Sequence, residues 1–68
     1  IPLKGIQTAL LGTNCILSNF ESNESNTGSF QISDCNEENS NKIKNVLSKQ
    51  NLSYKIKSIR NNSIEGTF

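Results

Sequence analysis

The sequence predicts a small α+β domain, two layers thick, with element order α-β-β-α-β-β and an antiparallel sheet packed on a central helix over residues 34–50. Three observations predict it. The stretch DCNEENSNKIKNVLSKQ places its apolar residues at helical steps. The segments SFQIS and LSYKIKSI alternate apolar and polar residues, as half-buried strands do. Two cysteines stand at the outer ends of what reads as a hairpin, where a sheet would bring them together.

Residues 1–12, IPLKGIQTALLG, predict a short helix. Pro2 suits the first helical position and Gly12 the stop. Leu3, Ile6 and Leu10 share a face, with Ala9 beside them. Gly5 lowers the helix propensity, so a strand is the alternative.

Residues 15–20, CILSNF, predict a strand with Ile16 and Phe20 on one side and Cys15 and Leu17 on the other. Residues 21–28 carry no large apolar side chain and predict a polar loop, with Gly28 supplying an unusual backbone angle. Residues 29–33 place Phe30 and Ile32 inward. Two strands around a short polar loop make an antiparallel hairpin.

In the central helix, Asp34 is the predicted N-cap, and Glu37 three residues later completes a capping box. Cys35, Asn39, Ile43, Val46, Leu47 and Gln50 follow one face, with Ile43, Val46 and Leu47 at its apolar centre. Glu37 and Glu38 precede Lys42, Lys44 and Lys49, an order that suits the helix dipole. Asn36, Asn39, Ser40, Asn41 and Asn45 are mediocre helix formers, so this helix depends on packing against the sheet. Asn51 is the expected C-cap.

Residues 52–59 place Leu52, Tyr54 and Ile56 inward and Lys55 and Lys57 outward. Arg60-Asn61-Asn62-Ser63 predicts a tight turn, because Asn tolerates positive φ. Residues 64–68 form the last strand, with Ile64 and Phe68 on one face. Ile59 conflicts in parity with Ile56. A bulge, or an Ile59–Ile64 pair on the other face, would resolve the conflict.

At 68 residues the chain is expected to be a single domain, 1–68, whose core alone is marginal and benefits from a staple. Eleven Asn and ten Ser leave few residues for that core. The two cysteines, with nineteen residues between them, have neither metal-site nor C-x-x-C spacing. Three readings compete: a Cys15–Cys35 disulfide in an exported protein, two buried free thiols in a cytosolic one, or a reactive Cys35 thiol at a helix N-terminus. The disulfide is the expectation, because the hairpin supports it. Export then follows, to the periplasm, the cell surface or the medium. The chain opens on Ile1-Pro2, as a mature product, a trimmed chain or an incomplete sequence would, and these residues hold no signal peptide or membrane span; one could have preceded Ile1 and been removed.

Net charge is +1, so no global field argues for nucleic acid or membrane. Charge is nevertheless polarised. Residues 21–38 hold five acids and no base, whereas residues 42–60 hold six bases and no acid. Lys55, Lys57 and Arg60 therefore form a candidate basic strip, with Tyr54 beside it as a binding candidate. Its functional reading is contact with an acidic protein, an anionic glycan or a phosphate backbone. Its plain reading is a solvated strand whose lysines discourage edge pairing. Tyr54 and Phe68 are too few for a base-stacking platform, so nucleic acid is disfavoured.

Nothing predicts catalysis. Without His, a Ser–His or Cys–His pair within the chain is impossible. Adjacent Glu37 and Glu38 do not face each other on a helix. There is no Gly-rich phosphate loop, and no cluster has metal spacing, so no cofactor, metal or small-molecule substrate is expected. Three Asn-X-Ser triplets, at Asn23, Asn51 and Asn61, are what this composition supplies by chance.

Two resemblances bear on role. Gly28-Ser29-Phe30, the helix and LSYKIKSI together resemble the first half of the sporulation-related peptidoglycan-binding domains. Gln31-Ile32-Ser33 intervenes before the helix, and the second half-repeat is missing. Ile1-Pro2, a helix and a disulfide-tied sheet are similar to the globular part of type IV pilin-like subunits, without the pilin leader and apolar helix. These resemblances imply a cell-wall-associated or pilin-like role. The expectation is thus a non-enzymatic exported domain that binds a protein or cell-surface polymer, or self-assembles as a subunit of a surface structure. The alternative is a cytosolic adaptor or inhibitor with free thiols, using the basic strip on an acidic protein or nucleic acid.

Overall fold

The computed structural model describes residues 2–50 and 54–68. In order they form α1 (Pro2–Leu10), β1 (Ile16–Ser22), β2 (Gly28–Ser33), α2 (Glu37–Ser48), β3 (Lys55–Arg60) and β4 (Ser63–Thr67). This is the predicted α-β-β-α-β-β order. The strands make one antiparallel sheet in the order β1-β2-β4-β3. β2 and β3 are each antiparallel to β4 and so parallel to one another, which makes β2-α2-β3 a split βαβ unit with β4 in the gap. A further helix and edge strand come from the amino-terminal side, as α1 and β1.

Both helices lie on one face of the sheet. Ile6 and Ala9 of α1, Ile43 and Leu47 of α2, and Phe30, Ile32 and Ile64 of the two central strands form one buried cluster with Cys35. Pro2 opens α1, and Gly12, at φ +77°, reverses the chain after it, as expected of that pair. Phe30 and Ile32 point inward as predicted. At the β3–β4 turn, Asn61 and Asn62 have φ of 52° and 61°. Two positive φ values in succession define the hairpin turn whose twist matches the strands.

The Cys15–Cys35 disulfide is formed, with the two Cα atoms 4.7 Å apart. It joins the segment before β1 to the segment before α2, so it closes the β1–β2 hairpin at its open end. Cys35 is fully buried, and its N–H donates to the Asn62 carbonyl at 2.9 Å. One short segment thus ties the hairpin, the helix entry and the far turn together.

Four local expectations are corrected. The helix begins at Glu37, not at Asp34. Asn36 is the N-cap, its side-chain oxygen accepting from the Asn39 N–H at 2.8 Å, while Asp34 sits at φ 56°. The bridge and the Asn62 contact hold Cys35 ahead of the helix, which moves the cap two residues on. The C-cap is Lys49, and Asn51 lies outside the described residues, as does Leu52.

In β1, Leu17 and Phe20 share the inner side with Cys15, and Ile16 is 53% exposed. A bulge between Leu17 and Asn19 causes this, because the extra residue shifts the alternation by one. Gly28 has no positive φ; that role falls to Asn26 at φ 59°. Gly28 is needed instead for close approach, since a Cβ there would collide with the Glu21 carbonyl.

In β3 the bulge anticipated from the Ile56/Ile59 conflict is present, between Ile56 and Ser58. Ile59 does pair with Ile64, but on the helix side of the sheet, where at its edge it stays 41% exposed.

Tyr54 joins the aromatic part of the core. Its ring meets Phe30 edge-on at 6.2 Å and Phe68 at 6.2 Å, and Phe68 stacks on Phe20 at 5.4 Å. Its hydroxyl donates to the Pro2 carbonyl at 2.8 Å, linking the residue just before β3 to the start of α1. Burial raises the phenol above its ordinary 10.0. The neutral form is therefore favoured in the folded state. Its contribution is complete below about pH 10 and is lost as pH rises through the folded value. Tyr54→Phe is expected to lose about 1 kcal/mol near neutral pH, the worth of the hydrogen bond. The gap between wild type and variant in urea midpoint should close above about pH 10. A gap that stays constant, or an ordinary titration of this only tyrosine by ultraviolet absorbance, would refute the assignment.

Candidate binding surface

The sheet has a second face, away from the helices, that no described element covers. Its residues follow from the register. One row runs Asn19–Gln31–Glu65–Ser58 across the four strands, and the next runs Glu21–Ser29–Thr67–Lys55. Ser63 and Arg60 form a third pair. Apart from Ile16 at the β1 end, these side chains are polar.

Hydrogen bonds hold the middle of this face. The Ser33 hydroxyl donates to the Ser18 hydroxyl at 2.8 Å, which donates to the Gln31 carbonyl at 3.1 Å. The Gln31 amide donates to the Ser63 hydroxyl at 3.3 Å, which donates to the Ile32 carbonyl at 3.2 Å. Gln31, at the sheet centre, is thus gripped through both backbone and side chain. The bulge in β1 supplies Ser18 for this work.

Two shallow troughs open beside it. One, of about 210 Å³, is lined by Asn19, Ser29, Gln31, Lys57, Glu65 and Thr67, over Phe30 and Gly66. The other, of about 160 Å³, is lined by Gln31, Ser58, Arg60, Asn61, Ser63 and Glu65. They meet at Gln31 and Glu65.

The predicted strip residues Lys55, Lys57 and Arg60 are all exposed and all lie along β3. Strict alternation would place Arg60 opposite Lys55 and Lys57. The bulge removes that conflict: Arg60 pairs with Ser63 on the open face, Lys55 pairs with Thr67 there, and Lys57 lines the first trough. The same extra residue that puts Ile59 on the helix side of the sheet therefore gathers three cations on the other. β3 is also an edge strand, so these charges and the bulge discourage pairing with another chain's edge. Tyr54 is not brought to this face; it faces the aromatic cluster beneath the sheet.

Sequence reasoning overlooked Gln31, Ser58 and Ser63 as surface candidates. Their signal was available in the outward positions of each predicted strand. Elsewhere, the loop after β1 is built on Asn23, whose side-chain oxygen accepts from the Ser25 N–H at 2.9 Å, the Thr27 N–H at 3.2 Å and the Thr27 hydroxyl at 3.0 Å. A third cavity, of about 360 Å³, lies near the disulfide, between the first turn of α2 and the β3–β4 turn. Glu37, Ser40, Ile59 and Arg60 are among its walls, and Ser40 is already satisfied by donating to the Cys35 carbonyl at 3.3 Å. Among the described residues, no helix is long and apolar enough to cross a membrane.

Comparison with protein-family models, with curated proteins and with solved structures finds no match.

Proposed function

We propose that this protein is an exported, non-enzymatic binding module that holds a protein or cell-surface polymer on the open face of its sheet. One observation carries the reading: the β3 bulge sets Lys55, Lys57 and Arg60 together on a polar face that no described element covers. Export is supported by the disulfide, since such bridges persist in oxidising compartments.

The face is tested by hydrogen–deuterium exchange of the oxidised protein, with and without the envelope fraction of the cells that make it. Protection is expected on β3 and β4 and is expected to vanish in the triple variant Lys55→Glu, Lys57→Glu, Arg60→Glu. Protection confined to α1 and α2, or unchanged in the variant, would refute the face as the binding surface. Export is tested by alkylating the natively purified protein before and after reduction and reading its mass. Labelling of both cysteines without reductant would overturn export and favour a cytosolic adaptor with free thiols.

A second reading, a pilin-like subunit of a surface assembly, is favoured by Leu11 and Ile16. They stand 77% and 53% exposed, Leu11 just after α1 and Ile16 at the start of β1. Self-association lost on Leu11→Ser and Ile16→Ser, read by sedimentation, would support it; a monomer at high concentration would exclude it.

A further inference from the structure

We infer that the open face takes an extended anionic polysaccharide, one carrying carboxylate or sulfate groups along its length. The inference rests on the reading of that face as the binding surface and specifies its ligand. The shape comes first. The two troughs join into one polar track beside β3, along the five residues of β4. At about 3.3 Å per residue that is a shallow surface path of roughly 13 Å, which suits an extended chain and not an enclosed small molecule.

The chemistry of the track comes second. Gln31, Ser58 and Ser63 offer amide and hydroxyl groups that both donate and accept. Ring hydroxyls of a sugar do the same: Ser58 can be matched either way, Gln31 through its amide oxygen and remaining N–H, and Ser63, whose proton goes to the Ile32 carbonyl, as an acceptor. The existing hydrogen bond from Gln31 to Ser63 keeps these two groups in place before a ligand arrives, which lowers the ordering cost of binding.

Charge comes third. Lys55, Lys57 and Arg60 border the track along its β3 side, and Glu65 lies within it. Acid groups of the ligand are therefore held toward the β3 edge, and its neutral hydroxyls lie across Glu65 and Gln31. Other polymers fit less well. Single-stranded nucleic acid calls for exposed aromatic rings to stack on, and Phe20, Phe30, Tyr54 and Phe68 all pack against the core beneath the sheet. An acidic peptide would seek pockets for apolar anchors, and the track has none. Strand addition at β3 is opposed by its bulge.

The test uses four defined probes on the oxidised, isotope-labelled protein by NMR titration: oligogalacturonate, neutral dextran, poly-glutamate and a single-stranded oligonucleotide. Oligogalacturonate is expected to shift Gln31, Lys57, Ser58 and Ser63 and to bind more weakly as salt rises. Dextran is expected to do nothing. Lys57→Glu with Arg60→Glu should weaken oligogalacturonate binding at least about tenfold. Gln31→Ala removes no charge; it should weaken oligogalacturonate but leave any residual poly-glutamate binding unchanged. Poly-glutamate or the oligonucleotide binding as tightly as oligogalacturonate would overturn the polysaccharide assignment and leave the face standing as a binding surface. If no probe shifts the face, the polysaccharide assignment falls. If the envelope fraction then also fails to protect β3 and β4, the binding face falls with it.

Discussion

Reduction of the Cys15–Cys35 disulfide is expected to lower the unfolding free energy by about 3 kcal/mol. The bridge spans a sequence separation of 20 residues. Closing a loop of that size removes chain entropy chiefly from the unfolded state. The loss is large against the total. A domain is stable by about 0.05–0.15 kcal/mol per residue, or roughly 3–10 kcal/mol at this length. A further loss is expected if Cys35 is replaced, because it is fully buried within the core cluster. Urea unfolding of the oxidised protein, the reduced protein and the Cys15→Ala, Cys35→Ala variant measures both parts. The variant should be no more stable than the reduced wild type. A shift under about 1 kcal/mol on reduction would show that the fold does not depend on the bridge. It would also remove the main physical reason for placing the protein outside the reducing cytosol.

The bridge also marks how far the sequence could be read. The order of elements was legible because each segment has its own period: Phe30 and Ile32 alternate, whereas Ile43 and Leu47 are spaced for a helix. The two bulges were legible unequally. In β3, Ile56 and Ile59 fall on opposite parities, and that conflict announced an extra residue. In β1, Leu17 and Phe20 carry the same three-residue spacing, but Ile16 and Phe20 offered a clean alternation and hid it. The helix cap was ambiguous because Asp34 and Asn36 are both good caps. What chose between them was the position of Cys35 under the Asn62 carbonyl, a contact 27 residues away in the chain. The strip shows both outcomes. Lys55, Lys57 and Arg60 were identifiable from charge alone, but only the bulge puts Arg60 with the other two. Tyr54 was assigned to that strip against its own inward parity, and its hydroxyl partner, Pro2, is 52 residues away.

Gly66→Val is expected to destabilise the fold by about 3 kcal/mol, near the upper end of what overpacking does. Gly66 lies in β4, between Phe30 on β2 and Ile56 on β3, and is buried. A Cβ there would run into the Phe30 ring and the Lys55 carbonyl. Neither neighbour has room to yield. Phe30 is 2% exposed and held edge-on against Tyr54, and Lys55 is fixed by its pairing in the sheet. β-propensity predicts the opposite sign, since Val favours strands and Gly weakens them, by about 1 kcal/mol. The clash should win, because the ring fills the space that a side chain would need. Phe30→Leu tests the cause. It shortens the group that blocks the site, and alone it should destabilise by leaving a void in the core. Combined with Gly66→Val, the two changes should couple favourably by about 1–2 kcal/mol, since each relieves the other. Urea unfolding of the four proteins in that cycle gives the coupling directly. Additive losses would place the penalty on the Lys55 carbonyl and the backbone rather than on the ring. A Gly66→Val protein as stable as wild type would mean that β2 and β4 can part enough to admit a side chain. The open face would then lose the rigid central pair that holds Gln31 and Glu65 in register.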